Sequence, residues 1–339
     1  MDDTQLCPGI MTGCTLFGEP PISTNTLISN FTMSTEPNIS QPPSLHIAVL
    51  GVGSIGSTFA FQLAQTGHHD VTVIARPGSA RFKQLQLDNG IVTFKNERAE
   101  VRVTDKLDEA IPYDLIIVTL LVHQVDAVLP ALQRSAAKCM LFMFNNFEPE
   151  RLQDALGAER CSFGMPFVQA SIDQMGRLNA KIGVGGQKSK INLQGWVDVF
   201  MASGLPAVFE PDMLLWLRCH VPLCIAFESI SVAGQRRGGG ASWDEAVVMA
   251  RGVKESFTLI QRLGYRLYPL EKSMLNASPV WMVASMLWFI SRVTSFRELL
   301  ATGIGECRAL VDVLVTAADR ADPPVASAKI LATRPSDES

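Results

Sequence analysis

From Leu45 onward, short dense apolar runs alternate with longer stretches in which apolar residues return at helical spacing. "HIAVLG" is followed by a helical pattern from about Ile55 to Gly67 and then by "VTVIA". Further on come "DLIIVTLL" (114–121), a helical pattern near Val125–Ser135, and "CMLFMF" (139–144). Runs this dense predict strands covered on both faces, and strand–helix–strand alternation predicts a parallel sheet. "RLNAKIGVGG" (177–186) and "PAVFE" (206–210) read as further strands with a helix between them. After Pro211 the strand signals fade. "DMLLWLRCHVPLCIAFESISVAG" reads as one long helix with a kink at Pro222. "SWDEAVVMARGVKESFTLIQRLGY" opens on a capping box, Ser242 with Glu245 three residues on, and Gly264 suits its end. Two or three more helices are predicted over 272–321.

The predicted fold class is therefore α/β, with an N-terminal Rossmann-type parallel-sheet domain followed by a mostly α-helical C-terminal domain. The expected divisions are a loosely ordered extension over 1–44, a sheet domain over 45–211, a helical substrate or dimerisation domain over 212–325, and a tail over 326–339. The extension has no Lys or Arg and shows neither a secretory signal nor a mitochondrial leader.

Composition narrows the function classes. Apolar residues make up 47% of the 339 residues and charged residues 18%, which suits a globular chain with a large core. The formal charge is −4 without a basic block, so neither nucleic acid nor an anionic membrane is an expected partner. The longest apolar run, "SPVWMVASMLWFIS" (278–291), falls short of the ~20 apolar residues a membrane span needs. Seven scattered cysteines include no CxxC pair, and five histidines form no HExxH, so no metal site is expected. Reduced cysteines in a cytoplasmic setting are the expectation.

The chemistry concentrates at Gly51-Val52-Gly53-Ser54-Ile55-Gly56, between an apolar strand and a helix. In a dinucleotide cradle the first glycine permits the tight turn, the second lets backbone approach a pyrophosphate, and the third lets helix and strand pack closely. The N–H groups at the helix start, at Ser54 and Ile55, then face the phosphates. The second strand ends in Ala75-Arg76, where an NAD site places Asp or Glu. Arginine pairs with a 2′-phosphate, so Arg76, with Arg81 or Lys83 assisting, predicts NADP(H).

With these stretches in hand, the sequence resembles the ketopantoate reductase family of NADPH-dependent oxidoreductases, as a divergent member. The resemblance runs from about His46 to about Ala321. It rests on the glycine-turn segment, the Gly-Ile of "LQLDNGIVTF", "DLIIVTLLVHQVDAVLPAL", "MFNNFEPERL", "WLRCHVPL" and "GIGECRALVDVL". It implies reduction of a 2-keto acid carbonyl in a cleft between the two domains. The family's central lysine lies in a W-x-K pattern, which reads Trp216-Leu217-Arg218 here. Arg218 then becomes the expected clamp on substrate, with water or His220 giving the proton, because a guanidinium does not release one readily. Two family asparagines correspond to Pro222 and Ala226, and a frequent lysine to Leu121. Asn145 keeps the family's asparagine near nicotinamide and substrate, and Glu306 matches its late acidic residue. The expected catalytic set is Arg218, Asn145 and Glu306. The expected function is reduction of a small 2-keto acid or ketone with altered specificity, with self-association into a homodimer left open. The alternative is a dinucleotide-binding sensor or scaffold with little catalysis.

Overall fold

The computed structural model describes residues 44–300 and 304–335. The expected extension over 1–44 therefore lies, but for Ser44, outside the described residues. The first half runs β1 (His46–Leu50), α1 (Ser54–Gln65), β2 (Asp70–Ile74), α2 (Ala80–Asp88), β3 (Ile91–Val92), β4 (Arg98–Ala99), β5 (Arg102–Thr104), β6 (Leu115–Val118), α3 (Val125–Arg134), β7 (Met140–Met143), α4 (Glu150–Leu156) and β8 (Cys161–Met165). Then come β9 (Val168–Ile172), β10 (Leu178–Ile182), β11 (Ser189–Ile191), α5 (Gln194–Ala202) and β12 (Ala207–Phe209). Eight strands form one sheet in the order β12-β11-β8-β7-β6-β1-β2-β5. All neighbours pair in parallel except β11 with β8. Ile47 on β1 lies opposite both Val71 and Leu115, so the densest apolar runs sit at the sheet's centre.

The chain leaves β1 toward β2 and β5, then crosses back to β6, β7 and β8. This reversal makes a switch point between β1 and β6, where ligands bind in sheets of this kind. The run at 177–186 does not join the sheet. Its strand β10 pairs with β9 in a separate antiparallel hairpin whose apolar residues cover the α1 side of the core. Strand β9, "VQASI", is half-buried and carries no dense apolar run, so the sequence gives little sign of it.

The remaining elements are α6 (Met213–Arg236), α7 (Trp243–Arg262), α8 (Leu270–Ala277), α9 (Val280–Ile290), α10 (Thr294–Leu300), α11 (Ile304–Arg320) and α12 (Ala328–Leu331). Helix α6 spans 24 residues with Pro222 inside it. Near its start, Met213, Trp216 and Leu217 enter the core beneath the sheet with Phe142 and Phe163. Its later turns, with Ile225 and Ile230, enter a second core with α7, α9 and α11. The length and hydropathy of α6 would suit a membrane span, yet most of its apolar surface is buried in these two cores. The capping box of α7 forms as read: Ser242 Oγ accepts from the Glu245 N–H at 3.2 Å, and Glu245 accepts from the Ser242 N–H at 2.6 Å.

The expected tail over 326–339 needs correction in its described part. Ile330 on α12 is fully buried, and the Thr333 carbonyl accepts a hydrogen bond from Ser229 Oγ at 2.7 Å. Gly252 on α7 makes room for this segment, since a Cβ there would lie 2.0 Å from the Thr333 methyl. One short apolar stretch among polar residues has no periodicity to read. Ile330→Ala should cost ~3 kcal/mol, the usual scale for emptying a buried isoleucine site. Denaturant unfolding checks this, and an unchanged midpoint would mean the segment contributes nothing.

Candidate functional site

The glycine turn lies at the switch point. Gly51 has φ of +98°, a conformation that side chains rarely adopt, and a Cβ there would stand 2.9 Å from Leu120 Cδ2. A Cβ on Gly56 would lie 2.0 Å from the Gly51 carbonyl oxygen and 2.5 Å from Thr119 Oγ1. Thr119 Oγ1 donates to that same Gly51 oxygen at 2.6 Å, which ties the end of β6 to the turn. Gly53 differs from both, because a Cβ there would meet nothing within 4 Å. It is also the N-cap of α1 and offers no side chain to the helix's first N–H groups, at Ser54 and Ile55. Open space beside uncapped N–H groups is what an approaching pyrophosphate needs. Gly53→Ala should leave the melting temperature near wild type while weakening nicotinamide-dinucleotide binding. Gly56→Ala should lower the melting temperature. Thermal unfolding together with a dinucleotide titration separates the two, and equal behaviour of both variants would contradict this division.

Arg76 follows β2, is exposed, and makes no hydrogen bond or ion pair with other described residues. Arg81 is committed elsewhere. Its guanidinium donates to Val52 O at 3.4 Å, Ser57 Oγ at 2.9 Å and Gly176 O at 2.8 Å, bracing the glycine turn against the β9–β10 hairpin.

Two of the expected catalytic residues meet. Asn145, buried in the loop after β7, donates through Nδ2 to Glu306 Oε1 at 3.1 Å. The Cys224 thiol on α6 donates to Asn145 Oδ1 at 3.1 Å. Steps of four residues place Trp216, His220, Cys224 and Glu228 along one face of α6. The His220 ring stacks on Trp216 at 4.4 Å. Glu228 Oε2 is buried without a hydrogen-bond partner. Burial first, and the nearby Glu306 second, push the Glu228 carboxyl up to about 9. Burial also raises Glu306, against the opposing hydrogen bond from Asn145. His220 is pushed down to about 3 by burial and then by Lys272 and Lys190, so its imidazole is neutral at pH 7.

Arg218 makes no hydrogen bond to Asn145 or Glu306, although its guanidinium lies 5.9 Å from the centre of the Phe147 ring, in the loop that carries Asn145. Two residues beyond Trp216 is about 200° around a helix, so the Trp-x-Arg match fixes register without fixing the face. The Arg218 guanidinium is buried, donates to Glu150 Oε2 at 2.5 Å and lies 3.8 Å from the centre of the Tyr265 ring. Pro222 and Ala226, one and two turns on, are buried on that same side. Cys224 and Glu228 were missed by sequence reasoning. Their signal was the polar stripe at His220, Cys224 and Glu228 in an otherwise apolar helix.

The Glu228 shift has a thermodynamic sign. The folded protein keeps this proton until about pH 9, whereas the unfolded chain loses it above about 4.5. Between those values the unfolded state binds fewer protons, so Glu228 reduces stability progressively as pH rises. Glu228→Gln should melt close to wild type at pH 5 and clearly above it at pH 8. Melting curves at both pH values check this, and a gain that does not grow with pH would show that Glu228 ionises freely in the fold.

A mostly parallel sheet with a glycine turn at its switch point, joined to a helical half built on one long helix, defines a Rossmann-type α/β protein. Residues 47–192 match the family model described as ketopantoate reductase PanE/ApbA, and the resemblance read from the sequence is borne out over that stretch. No curated protein matches the sequence at a significant level. Among solved structures, a PanE/ApbA family ketopantoate reductase from Ralstonia eutropha JMP134 aligns with a TM-score of 0.66 at 18% identity, covering 85% of this chain and 95% of that one. A probable 2-dehydropantoate 2-reductase from Bacillus subtilis aligns with a TM-score of 0.62 at 17% identity, covering 85% and 97%. D-mandelate dehydrogenase in a ternary structure with NADH and anilino(oxo)acetate aligns with a TM-score of 0.63 at 16% identity, covering 85% and 95%.

Proposed function

We propose that the chain is an NADPH-dependent reductase of a small 2-keto acid or ketone, close to the ketopantoate reductases in layout and altered in specificity. One juxtaposition carries this reading. The loop bearing Asn145 follows β7 on the same edge of the parallel sheet as the glycine turn after β1, and it meets Cys224 and Glu306 there. D-mandelate dehydrogenase, of the same fold, supports it by binding NADH together with a 2-oxo carboxylate.

The reduced nicotinamide, when bound, supplies the hydride. The turn at Gly51, Gly53 and Gly56 and the start of α1 at Ser54 and Ile55 would hold its pyrophosphate. Arg76, with no hydrogen-bond or ion-pair partner among the described residues, would take the 2′-phosphate. On the facing side, Asn145 and Glu306 fix one another. Glu228, held neutral by burial, can donate a hydrogen bond to a carbonyl oxygen and then its proton, the role for which a carboxyl with a raised pKa suits. Arg218 is left to hold α4 against α6. That engagement favours the second reading, a dinucleotide-binding sensor, because it leaves no lysine or free arginine on this part of α6.

The test is a panel of 2-keto acids and ketones with NADPH or NADH, read by nicotinamide absorbance. NADPH should be consumed in preference, and Arg76→Ala should narrow the gap by about tenfold or more, the scale of one lost charged contact. Equal use of both cofactors by the unmutated protein counts against NADPH. Tight dinucleotide binding with no turnover across the panel favours the sensor.

A further inference from the structure

Beside the stripe on α6 lies a buried ammonium with no ion-pair partner among the described residues, although the Glu210 charge favours it from a distance. Lys272 reaches in from α8 and is 6% exposed. Its ammonium donates to the Trp216 carbonyl at 3.2 Å and lies 4.4 Å from the centre of the Trp216 ring. These contacts use one of its three N–H donors, and among the described residues it has no carboxylate partner. The buried carboxylate in this region is already satisfied. Glu210 accepts from Lys190 at 2.9 Å on one oxygen and from the Tyr268 hydroxyl at 2.7 Å on the other. Burial lowers the Lys272 ammonium to about 8, which leaves it mostly charged at pH 7. Removing an unpaired ammonium from water is costly, and a bound anion offsets that cost.

Lys272 also adjoins the candidate site. Cys224, whose thiol donates to Asn145, interacts electrostatically with Lys272 as well as with Glu228 and Glu306. His220, one turn before Cys224, interacts with the Lys272 charge too. The α6 face that meets Asn145 thus has a cation beside one part of it and the carboxyl groups of Glu228 and Glu306 beside the other.

We propose that Lys272 is the carboxylate anchor of this cleft, holding from α8 the carboxylate of a 2-keto acid whose carbonyl lies toward Asn145 and Glu228. This deepens the reductase reading and rests on it. It assigns the charged contact to a helix other than the one that carries the Trp-x-Arg motif.

The test uses full-length protein loaded with NADPH and two probes, anilino(oxo)acetate and its methyl ester, which keeps the shape without the charge. Binding is read from NADPH fluorescence. Wild type should bind the acid about a hundredfold more tightly than the ester, the scale of a desolvated charged hydrogen bond. Lys272→Met should erase that preference while binding NADPH as before and melting no lower than wild type, and Lys272→Arg should keep part of it. A Lys272→Met protein that still prefers the acid, or an NADPH-loaded wild type blind to the charge, overturns the assignment alone. Failure of wild type to bind NADPH or NADH at all overturns the reductase reading, and this assignment falls with it.

Discussion

Helix α6 has to satisfy three surroundings at once, and the rest of the structure is arranged around that demand. Its first turns are apolar toward the sheet, where Trp216 and Leu217 pack with Phe142 and Phe163. Its later turns are apolar toward α7, α9 and α11. Between these two burials runs a third surface that carries His220, Cys224 and Glu228. A helix buried on most sides has little freedom to rotate, because each apolar residue moved out of a core gives up roughly 1.5–3 kcal/mol. The two cores therefore set the azimuth of α6, and the azimuth decides which side chains face Asn145 and Glu306.

The same constraint explains what could be read from the sequence. The glycine turn and the capping box at Ser242 are local: every residue that gives them meaning lies within a few positions, and both formed as read. The sheet followed from apolar runs such as "DLIIVTLL". Asn145 and Glu306, 161 positions apart, were paired through the resemblance, since no local pattern connects them. A tripeptide anchored on Trp216 does not reveal how a helix is turned, whereas packing does, and it sets the Arg218 guanidinium against Glu150 and Tyr265. Lys272 stayed hidden because its meaning comes from Trp216, 56 positions away, and from a Glu210 already occupied by other donors.

The charges of the chain fall into two kinds. Exposed pairs such as Arg98–Glu100 and Arg134–Glu109 sit in water, where such contacts contribute about 0–1 kcal/mol. The Lys190–Glu210–Tyr268 group is a closed network in which each oxygen of the carboxylate has a donor. Burial would raise Glu210, yet the hydrogen bonds from Lys190 and Tyr268 hold it below the usual carboxylate range. Glu228 Oε2 has no such donor among the described residues, and burial with the nearby Glu306 pushes this carboxyl up to about 9. Glu210 and Glu228 thus shift in opposite directions, the first held down by its hydrogen-bond donors and the second pushed up by burial and by Glu306.

The C-terminal segment sets an order of assembly. Ser229 in the middle of α6 is hydrogen-bonded to the carbonyl of Thr333, 104 positions later, and Ile330 completes the packing near Gly252 on α7. A chain made from its N-terminus can pack the α1 side of the sheet as soon as β12 is out, because that core ends at Ala207, whereas the other side waits for Met213, Trp216 and Leu217. The helical half stays unsealed until the residues around 330 emerge. During synthesis, its apolar surfaces therefore remain exposed longest, and exposed apolar surface is what makes incomplete chains prone to aggregate.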